Sequence, residues 1–472
     1  MRNTKVVSLE EAVRRSGLKD GMTISFHHHF RGGDKVVNMV VAKLAEMGFK
    51  DLKLAASSLS DVHAPLIEHI KAGVITGIST SGLRGELANE ISHGLMDEPV
   101  VFRSHGGRGS AIASGELHID VAFLGASSCD ELGNASGCPR SENAKSICGS
   151  LGYALPDAEY ADHVVVLTDD LVDYPNVPKS ISASKVESVV VVESVGDSSK
   201  ISSGAIRDSK NPRDILLARQ AAKVILGSGY FEDGFSIQTG TGGASLAVVK
   251  YIRESMLEKG IKASFALGGI TAHMVKLHEE GLIKKLIDVQ SFDKVAAESI
   301  ASDQTHQEVS SIDYASAEHP GSAVHALDIV ILSALEVDVD FNVNVLVGSD
   351  GVIRGAVGGH PDTAEDSALS IIVCPLLRGR IPCVVPKVTT LITPGAGVDV
   401  VVTEYGIAVN PRRPEIAERL KAAGLKIVDI HDLAAKATSV IGVPDPLPFG
   451  DKVVGIVMDR HGKVLDKIYN IQ

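Results

Sequence analysis

Tryptophan is missing from this sequence, and cysteine is scarce, with five residues and no Cys-x-x-Cys pair. Such thiols exclude a disulfide framework and a zinc site of closely spaced cysteines, and they are typical of reduced cytosolic proteins. No apolar run reaches the ~18 residues that a membrane span needs. The start, MRNTKVVSLEEAVRRSG, lacks the apolar core of a signal peptide. We therefore expect a cytoplasmic protein that does not enter a membrane.

Positive charge is also in short supply, since 46 Lys and Arg stand against 59 Asp and Glu, for a net charge of −13. A general nucleic-acid binder is normally basic, so we expect no nucleic-acid partner, although a local basic pocket for an anion stays open. Small and apolar residues are abundant: 44% of the 472 residues are hydrophobic and 46 are glycine. This length and composition predict two or three domains of the α/β class.

Internal similarity divides the chain into two units. Gly32-Gly33 recurs as Gly242-Gly243, 210 residues on (242 − 32), each time between a strand-like and a helix-like segment. Apolar runs without alternation, such as HVVVLTD and LDIVILSA, predict parallel strands buried on both faces. We predict two similar α/β units with mainly parallel, buried sheets, over residues 1–212 and 213–472. Four further matches share a spacing of 208, namely Asp120/Asp328, Ala126/Ala334, Asp130/Asp338 and Asn134/Asn342.

Two glycine pairs follow strand-like segments, where α/β folds place their ligands. Gly242-Gly243, in QTGTGGA, offers free N–H groups at a helix start, and Gly358-Gly359, in GAVGGH, offers N–H groups that can hold an oxyanion. The first motif lacks the lysine of a P-loop and the third glycine of a dinucleotide-binding turn, which disfavours ATP and NAD. A tight turn without a ligand explains either motif equally well.

Three basic segments supply candidate anion ligands: Arg31 with Gly32-Gly33, Arg84, and Arg108 within HGGRGS. Each would place a cation on a flexible loop, and a solvated arginine is an even alternative at each position. The three histidines at 27–29 are not expected to bind one metal, because alternate side chains of a strand point to opposite faces. We predict no metal site.

Three carboxylates complete the candidates. Glu336, in SALEVD, would orient a neighbour or cap a helix, Glu404 ends a buried strand in VTEYG, and Glu142 lies on a loop. An isolated carboxylate is usually solvated, so none of them defines a site alone. The residues by themselves predict a two-unit α/β enzyme with an anionic ligand.

Taken together, five motifs in order over about 230–410 resemble the acetate and 4-hydroxybutyrate CoA-transferase superfamily: QTGTGG, LGGITAHM, SALEVD, GAVGGHPD and VTEYGIA. The first half, with FHHHFRGGDKVVN, SHGGRGSAI and ELGNASG, is similar more narrowly to the citrate lyase α subunit, and the resemblance covers nearly the whole chain. It implies two CoA-transferase-like units. It also implies transfer of a thioester from acetyl to citrate, which yields a citryl thioester and acetate.

Two positions depart from the superfamily pattern. Covalent members carry a catalytic glutamate in a GIHTEM-like stretch, where this chain has His273, and an asparagine before SALEVD, where it has Leu332. The resemblance to citrate lyase implies a mechanism without an enzyme-bound acyl glutamate. A degenerate, inactive half is the alternative explanation.

The resemblance also implies roles and partners. The thiol arrives on CoA or on the CoA-like arm of a carrier protein, with no cofactor bound covalently to this chain. The implied partners are the lyase β and carrier γ subunits, with citrate and acetyl-CoA, in a homo- or hetero-oligomer. An acetate-type CoA-transferase or acyl-CoA hydrolase using free CoA, and a non-catalytic scaffold, remain as alternatives. The candidate catalytic residues are Gly242, Gly243, Gly358, Gly359, His273 and Glu336, and the candidate substrate-binding residues are Arg31, Gly32, Gly33, Arg84, Arg108 and Glu404.

Overall fold

A computed structural model describes residues 5–141, 145–202, 211–240 and 243–472. Its helices are α1 (Leu9–Arg15), α2 (Val36–Glu46), α3 (Leu66–Lys71), α4 (Gly85–Ser92), α5 (His105–Ala113), α6 (Leu155–Tyr160), α7 (Pro212–Gly227), α8 (Gly243–Lys259), α9 (Ala272–Glu279), α10 (Lys294–Ser302), α11 (Ser311–Ala315), α12 (His360–Asp366), α13 (Pro414–Ala422) and α14 (Ile430–Ile441). Its strands are β1 (Thr23–Phe26), β2 (Leu52–Ala56), β3 (Ile75–Thr80), β4 (Val100–Phe102), β5 (Val121–Ala126), β6 (Ser128–Asp130), β7 (Ala135–Ser136), β8 (His163–Thr168), β9 (Leu171–Val172), β10 (Ser188–Val191), β11 (Ser236–Thr239), β12 (Phe265–Ile270), β13 (Leu286–Ser291), β14 (His306–Glu308), β15 (Ile329–Ser333), β16 (Glu336–Asp338), β17 (Val343–Asn344), β18 (Leu369–Val373), β19 (Leu377–Arg378), β20 (Ile381–Pro382), β21 (Val384–Val385), β22 (Val400–Thr403), β23 (Gly406–Val409), β24 (Phe449–Met458) and β25 (Val464–Ile471).

Two large sheets organise the fold. The first has the order β10-β8-β5-β1-β2-β3-β4-β24-β25, and the second has the order β14-β13-β12-β11-β15-β18-β22-β23. Neighbouring strands are parallel throughout, except for β24 with β25 and β22 with β23. Every residue of β5 and of β18 is buried, as apolar strands covered by helices on both faces must be. The predicted mainly parallel, buried sheets are confirmed.

The two sheets repeat one plan. In the first half, the strands are arranged in the order β10-β8-β5-β1-β2-β3-β4. The second half has the corresponding order β22-β18-β15-β11-β12-β13-β14, so that β1 corresponds to β11. The small sheets β7-β6-β9 and β17-β16-β21 match as well. The predicted similarity of the two units is therefore confirmed in the topology.

Hydrogen bonds explain why certain positions recur in both halves. Asp120 accepts the N–H of Thr23 at 2.7 Å, and Asp328 accepts the N–H of Ser236 at 2.8 Å, so each carboxylate fixes the start of the first strand of its sheet. Asp130 and Asp338 likewise each accept the backbone N–H four residues on, at 2.9 Å. These aspartates satisfy backbone donors at strand and turn ends, which buried backbone requires.

The C-terminal hairpin departs from the predicted 213–472 unit. Strands β24 and β25 belong to the first sheet, where β24 lies parallel to β4. The division into domains at 212/213 stays a prediction. Strands β24 and β25 lie in its second unit by sequence but in the sheet of its first unit. Within the described part of the chain, no helix is both long and apolar enough to span a membrane.

Candidate active site

The two halves meet through a loop at 355–359, just before α12. Leu83 donates its backbone N–H to the carbonyl of Gly355 at 3.0 Å, and Val357 donates to the carbonyl of Ser81 at 2.7 Å. The loop of the second half therefore adds a short antiparallel pairing to the segment that follows β3. Proteins with parallel sheets usually bind ligands beyond the carboxyl ends of the strands, so a site is expected at this junction.

Four aromatic rings of the first half line the junction. His28 and His29 follow β1, His105 opens α5, and Tyr153 precedes α6. The Tyr153 ring lies 4.2 Å from that of His105, 5.0 Å from His28 and 5.3 Å from His29, between ring centroids. Its hydroxyl lies 2.6 Å from His105 Nδ1, and Gln290 of the second half donates to the His28 carbonyl at 3.1 Å.

Hydrogen bonding fixes the tautomer of His29, whose side chain is fully buried. Its Nε2 accepts the backbone N–H of Tyr153 at 3.0 Å, so in the neutral ring the proton is on Nδ1. No acceptor for Nδ1 exists among the described residues. A buried donor without a partner is costly, so this N–H is available to a ligand.

The histidines of the cluster are neutral at pH 7. Burial lowers the pKa of His28 and of His29 well below the usual value. Burial, with the nearby Arg108 and Arg84 charges, lowers the pKa of His105 to about 3. The cluster therefore offers hydrogen-bond donors without adding charge, and none of these imidazoles can serve as a proton donor in its cationic form.

Two guanidinium groups lie beside this cluster. Arg31 sits 4.6 Å above the Phe292 ring of the second half, and its backbone is left-handed, with φ of 53°. Burial, together with the Arg84 charge, lowers the pKa of Arg31 to about 10, while Tyr153 and Asp293 oppose the shift. In the described part of the chain, neither arginine has a carboxylate within 4.0 Å, and Arg31 Nε has no acceptor. Two buried cations that have no ion pair at this distance, and only the longer-range charges of Asp61 and Asp293 to offset them, favour an anionic ligand.

Arg108 does not join them as a free cation. It is 3% exposed and makes a bidentate pair with Asp157, at 2.8 and 2.7 Å, and a third bond to the carbonyl of Ala55. The segment around it is helix α5 and not the loop expected from the sequence. Its glycines serve packing, since a Cβ on Gly106 would lie 1.9 Å from the carbonyl oxygen of Ala315.

Gly358 and Gly359 face His105 from the second half. Gly358 has a left-handed φ of 56°, and its carbonyl accepts the N–H of His105 at 2.9 Å. The two glycine N–H groups have no acceptor in the described part of the chain. Successive amides in such a turn form an anion-binding concavity. A Cβ on Gly359 would lie 2.5 Å from the Tyr314 hydroxyl, which leaves no room for a side chain.

The other predicted glycines are placed differently. Gly32 and Gly33 follow Arg31 in one turn of 3-10 helix, and a Cβ on Gly33 would lie 2.3 Å from the carbonyl oxygen of Asp197. Gly33 therefore permits close packing and holds the Arg31 turn. Gly243 begins α8, and Gly242 lies outside the described residues.

The predicted acidic and histidine candidates have other surroundings. Glu336 is buried and accepts three hydrogen bonds, two from Thr389 and one from Asn344, so its carboxylate is committed to the fold. Glu404 accepts the N–H of Leu376 in the turn after β22, at the opposite side of the second sheet from β14. His273 is half-buried in the first turn of α9, and Glu142 lies outside the described residues.

One group of side chains in the described ranges has metal-ligand spacing, namely His118, Asp120 and Asp162. It is largely exposed and lies at the other end of the strands, where Asp120 is already bound to Thr23. We do not assign a metal to this group, and the absence of a metal site stays a prediction.

Comparison with known proteins decides the family. A family model described as citrate lyase, alpha subunit, matches residues 2–471. The chain belongs to the citrate lyase α subunit family. It is 59% identical to the citrate lyase alpha chain of Escherichia coli (strain K12) and 60% identical to that of Klebsiella pneumoniae, over 98% of this chain and 90% and 91% of theirs.

Solved structures agree with this membership. A crystal structure from Streptococcus mutans, described as a citrate lyase α subunit in complex with citrate, has a TM-score of 0.97 at 53% identity and covers 100% of this chain and 92% of that one. A malonate decarboxylase α subunit from Acinetobacter baumannii has a TM-score of 0.67 at 15% identity, covering 93% of each chain, and shows the shared fold. The assignment to citrate lyase α subunits, and the citrate CoA-transferase function that it carries, are confirmed.

Sequence reasoning missed the ring cluster of His28, His29, His105 and Tyr153. The sequence raised His28 and His29, with His27, only as possible metal ligands, and His105 only as part of the basic segment HGGRGS. The neutrality of His28, His29 and His105 depends on burial, which the sequence does not show. Tyr153 carried no motif at all. The one available signal was that His105 opens SHGGRGSAI, a stretch shared with citrate lyase α subunits.

Proposed function

We propose that this chain moves the thioester from acetyl to citrate at the junction of its halves, with Arg31 and Arg84 binding citrate carboxylates. The observation that carries this is the pair of buried guanidinium groups, which have no carboxylate within 4.0 Å among the described residues and lie near neutral imidazoles. The loop that contacts His105 adds the amides of Gly358 and Gly359, which have no acceptor in the described ranges. A tricarboxylate supplies the charge that the arginines lack. The citrate complex of the Streptococcus mutans relative supports the same ligand.

The chemistry needs two acyl transfers. A citrate carboxylate oxygen attacks the acetyl thioester carbonyl, and the resulting oxyanion collapses with loss of the thiolate to give an acetyl–citryl anhydride. The thiolate then attacks the citryl carbonyl, and acetate leaves. Both steps pass through an oxyanion, which the Gly358 and Gly359 amides would stabilise by hydrogen bonds. A thiolate and a carboxylate both leave without protonation, so neutral histidines suffice.

The thiol belongs to CoA or to the CoA-like arm of a carrier-protein γ subunit, and a β subunit would cleave the citryl thioester. We infer a cytoplasmic complex of these subunits, in line with the citrate lyase family. Gly242 and Gly243 are the second pair of oxyanion donors in this proposal. Arg108, Glu336 and Glu404 have no part in it, because each is committed to other partners.

The position of His273 makes direct transfer the favoured mechanism, since no glutamate stands where covalent relatives place their nucleophile. Initial rates with acetyl-CoA and citrate should give intersecting lines. Borohydride or hydroxylamine added after acetyl-CoA alone should not inactivate the enzyme, because no activated acyl-carboxylate has formed. Parallel lines together with a glutamate–CoA adduct in mass spectrometry would refute direct transfer.

The same incubation separates the alternatives. Formation of citryl-CoA and acetate by the chain alone supports the transferase. Release of CoA from acetyl-CoA at a rate independent of citrate would indicate a hydrolase. No turnover of either substrate, with the chain folded, would indicate a scaffold.

A further inference from the structure

We propose that Asp362 and Arg460 are positioning residues for the acyl transfer, through which the C-terminal hairpin holds the Gly358-Gly359 loop against His105. This inference rests on the proposed function. It concerns residues that touch no substrate and act through the backbone of the site.

Asp362 ties both sides of the junction together. It lies in α12, three residues after Gly359, and is fully buried. Its Oδ1 accepts the hydroxyl of Ser104 at 2.6 Å, and its Oδ2 accepts the N–H of Gly106 at 2.9 Å. Ser104 and Gly106 flank His105 at the start of α5. One carboxylate therefore fixes the helix that carries His105 to the helix that follows the two glycines.

Arg460 lies in the turn between β24 and β25 and is 3% exposed. Its Nη2 forms an ion pair with Asp366 at 2.7 Å, and its Nε lies 3.8 Å from Asp362 Oδ1. A Cβ added to Gly107 would lie 3.5 Å from the Cα of Arg460. The backbone of the hairpin therefore packs directly against the first turn of α5. The hairpin thus covers the contact between α5 and α12.

The charge of Arg460 keeps Asp362 suited to accept two hydrogen bonds. Burial raises the pKa of Asp362 to about 6, and Asp366 adds to the rise, while Arg460 opposes it. Without Arg460 the pKa would rise further, and a protonated Asp362 would lose acceptor capacity toward Ser104 and Gly106.

The internal repeat gives independent support. Leu155-Pro156-Asp157, at the start of α6, recurs as His360-Pro361-Asp362 at a spacing of 205 (362 − 157). Asp157 is also fully buried, and it grips the same helix α5 through Arg108. Each half therefore holds α5 through an equivalent aspartate. The contact of Asp362 with Ser104 and Gly106, here called the clamp, adjoins the Gly358-Gly359 loop, and Arg460 of the hairpin lies against Asp362.

The test compares full-length Arg460→Ala with the wild type, using acetyl-CoA and citrate as substrates. A loop shifted by a fraction of an ångström loses transition-state contacts, so kcat should fall by about tenfold to a hundredfold. The citrate KM should change by less than about twofold, because no hydrogen bond or ion pair among the described residues joins Arg31 or Arg84 to Asp362 or Arg460. Arg460→Lys keeps the charge and should restore most of kcat.

Arg413→Ala is the matched control. Arg413 is a partly buried arginine of the second half that pairs with Asp399 and donates to the carbonyl of Ala368, and none of its described hydrogen bonds or ion pairs involves Asp362, Ser104 or Gly106. It should lower the melting temperature and leave kcat unchanged. If Arg460→Ala does not fold, Ser104→Ala removes one bond to Asp362 together with the N-cap bond from Gly107, and it should lower kcat by about three- to tenfold with the same citrate KM.

The outcomes separate the two proposals. An active wild type whose folded Arg460→Ala and Ser104→Ala variants keep full kcat overturns the positioning role and leaves the transferase intact. A shift in citrate KM without loss of kcat overturns it as well. A folded wild type that makes no citryl-CoA refutes the proposed function, and the positioning role falls with it.

Discussion

Replacing Arg31 by glycine separates ligand binding from folding. Arg31 is one of few non-glycine residues with a left-handed backbone, at φ 53°. An L-residue in this region costs about 1–2 kcal/mol, which glycine does not pay. Arg31→Gly therefore removes the guanidinium while relieving the backbone, and the relief offsets the lost contact with Phe292. We expect the free energy of unfolding to change little.

The effect on citrate should be large. A charge-assisted hydrogen bond contributes about 1.5–3 kcal/mol, which corresponds to a roughly 10- to 150-fold weaker interaction. We expect the citrate KM to rise by that factor and the acetyl-CoA KM to stay near the wild-type value. Citrate affinity measured by calorimetry should weaken in parallel, which guards against a KM that does not report binding.

Arg108→Ala provides the contrast. Its loss strands the buried carboxylate of Asp157, which destabilises the fold by about 3–5 kcal/mol. Where the variant still folds, its citrate KM should match the wild type. If Arg31→Gly leaves citrate kinetics unchanged, or if Arg108→Ala raises the citrate KM as much, the assignment of the anion site to Arg31 is refuted.

Two further changes test the oxyanion loop and the contact between the halves. Gly359→Ala places a Cβ against the Tyr314 hydroxyl and should lower kcat by about a hundredfold, and adding Tyr314→Phe should recover part of it; no recovery would argue against a steric cause. Burial raises the pKa of Glu308 to about 7, so its protonated form stabilises the fold below about pH 4.5, and this stability is lost as pH rises through 7. Urea unfolding at pH 5 and pH 8 should show Glu308→Gln more stable than the wild type only at pH 8.

The repeated fold was readable because its signals are local. Apolar runs mark buried strands wherever they occur, and Asp120 and Asp328 recur because each start of the first strand has the same orphan N–H to satisfy. Because the two halves repeat the same apolar runs and aspartates in the same order, they were expected to have the same strand order. The hairpin was not assignable in this way, since the sequence of β24 does not encode which edge strand it will join.

The site depended on contacts between distant segments. The residues around Arg108 and Arg84 do not show which of the two forms a buried ion pair. Arg108 forms one because Asp157, which is 49 residues further along the chain (157 − 108), packs against it from α6. The sequence identified Arg31 and the glycine pair at 358–359 as residue types suited to an anion. It could not show that His28, His29 and His105 lose their charge, since desolvation depends on what tertiary packing places over each ring.

The repeat also explains how a symmetric scaffold makes an asymmetric site. Tyr153 and Gly358 are equivalent positions at the spacing of 205 that relates the two Pro-Asp turns (358 − 153). Both contact His105, Tyr153 through its hydroxyl at 2.6 Å and Gly358 through its carbonyl at 2.9 Å. The first half thus contributes a ring and the second a bare backbone to one imidazole. A tyrosine in both places would add a second ring beside His105, and a glycine in both would remove the hydroxyl that bonds its Nδ1. Divergence at this one pair therefore gives His105 one side-chain partner and one backbone partner from a repeated scaffold.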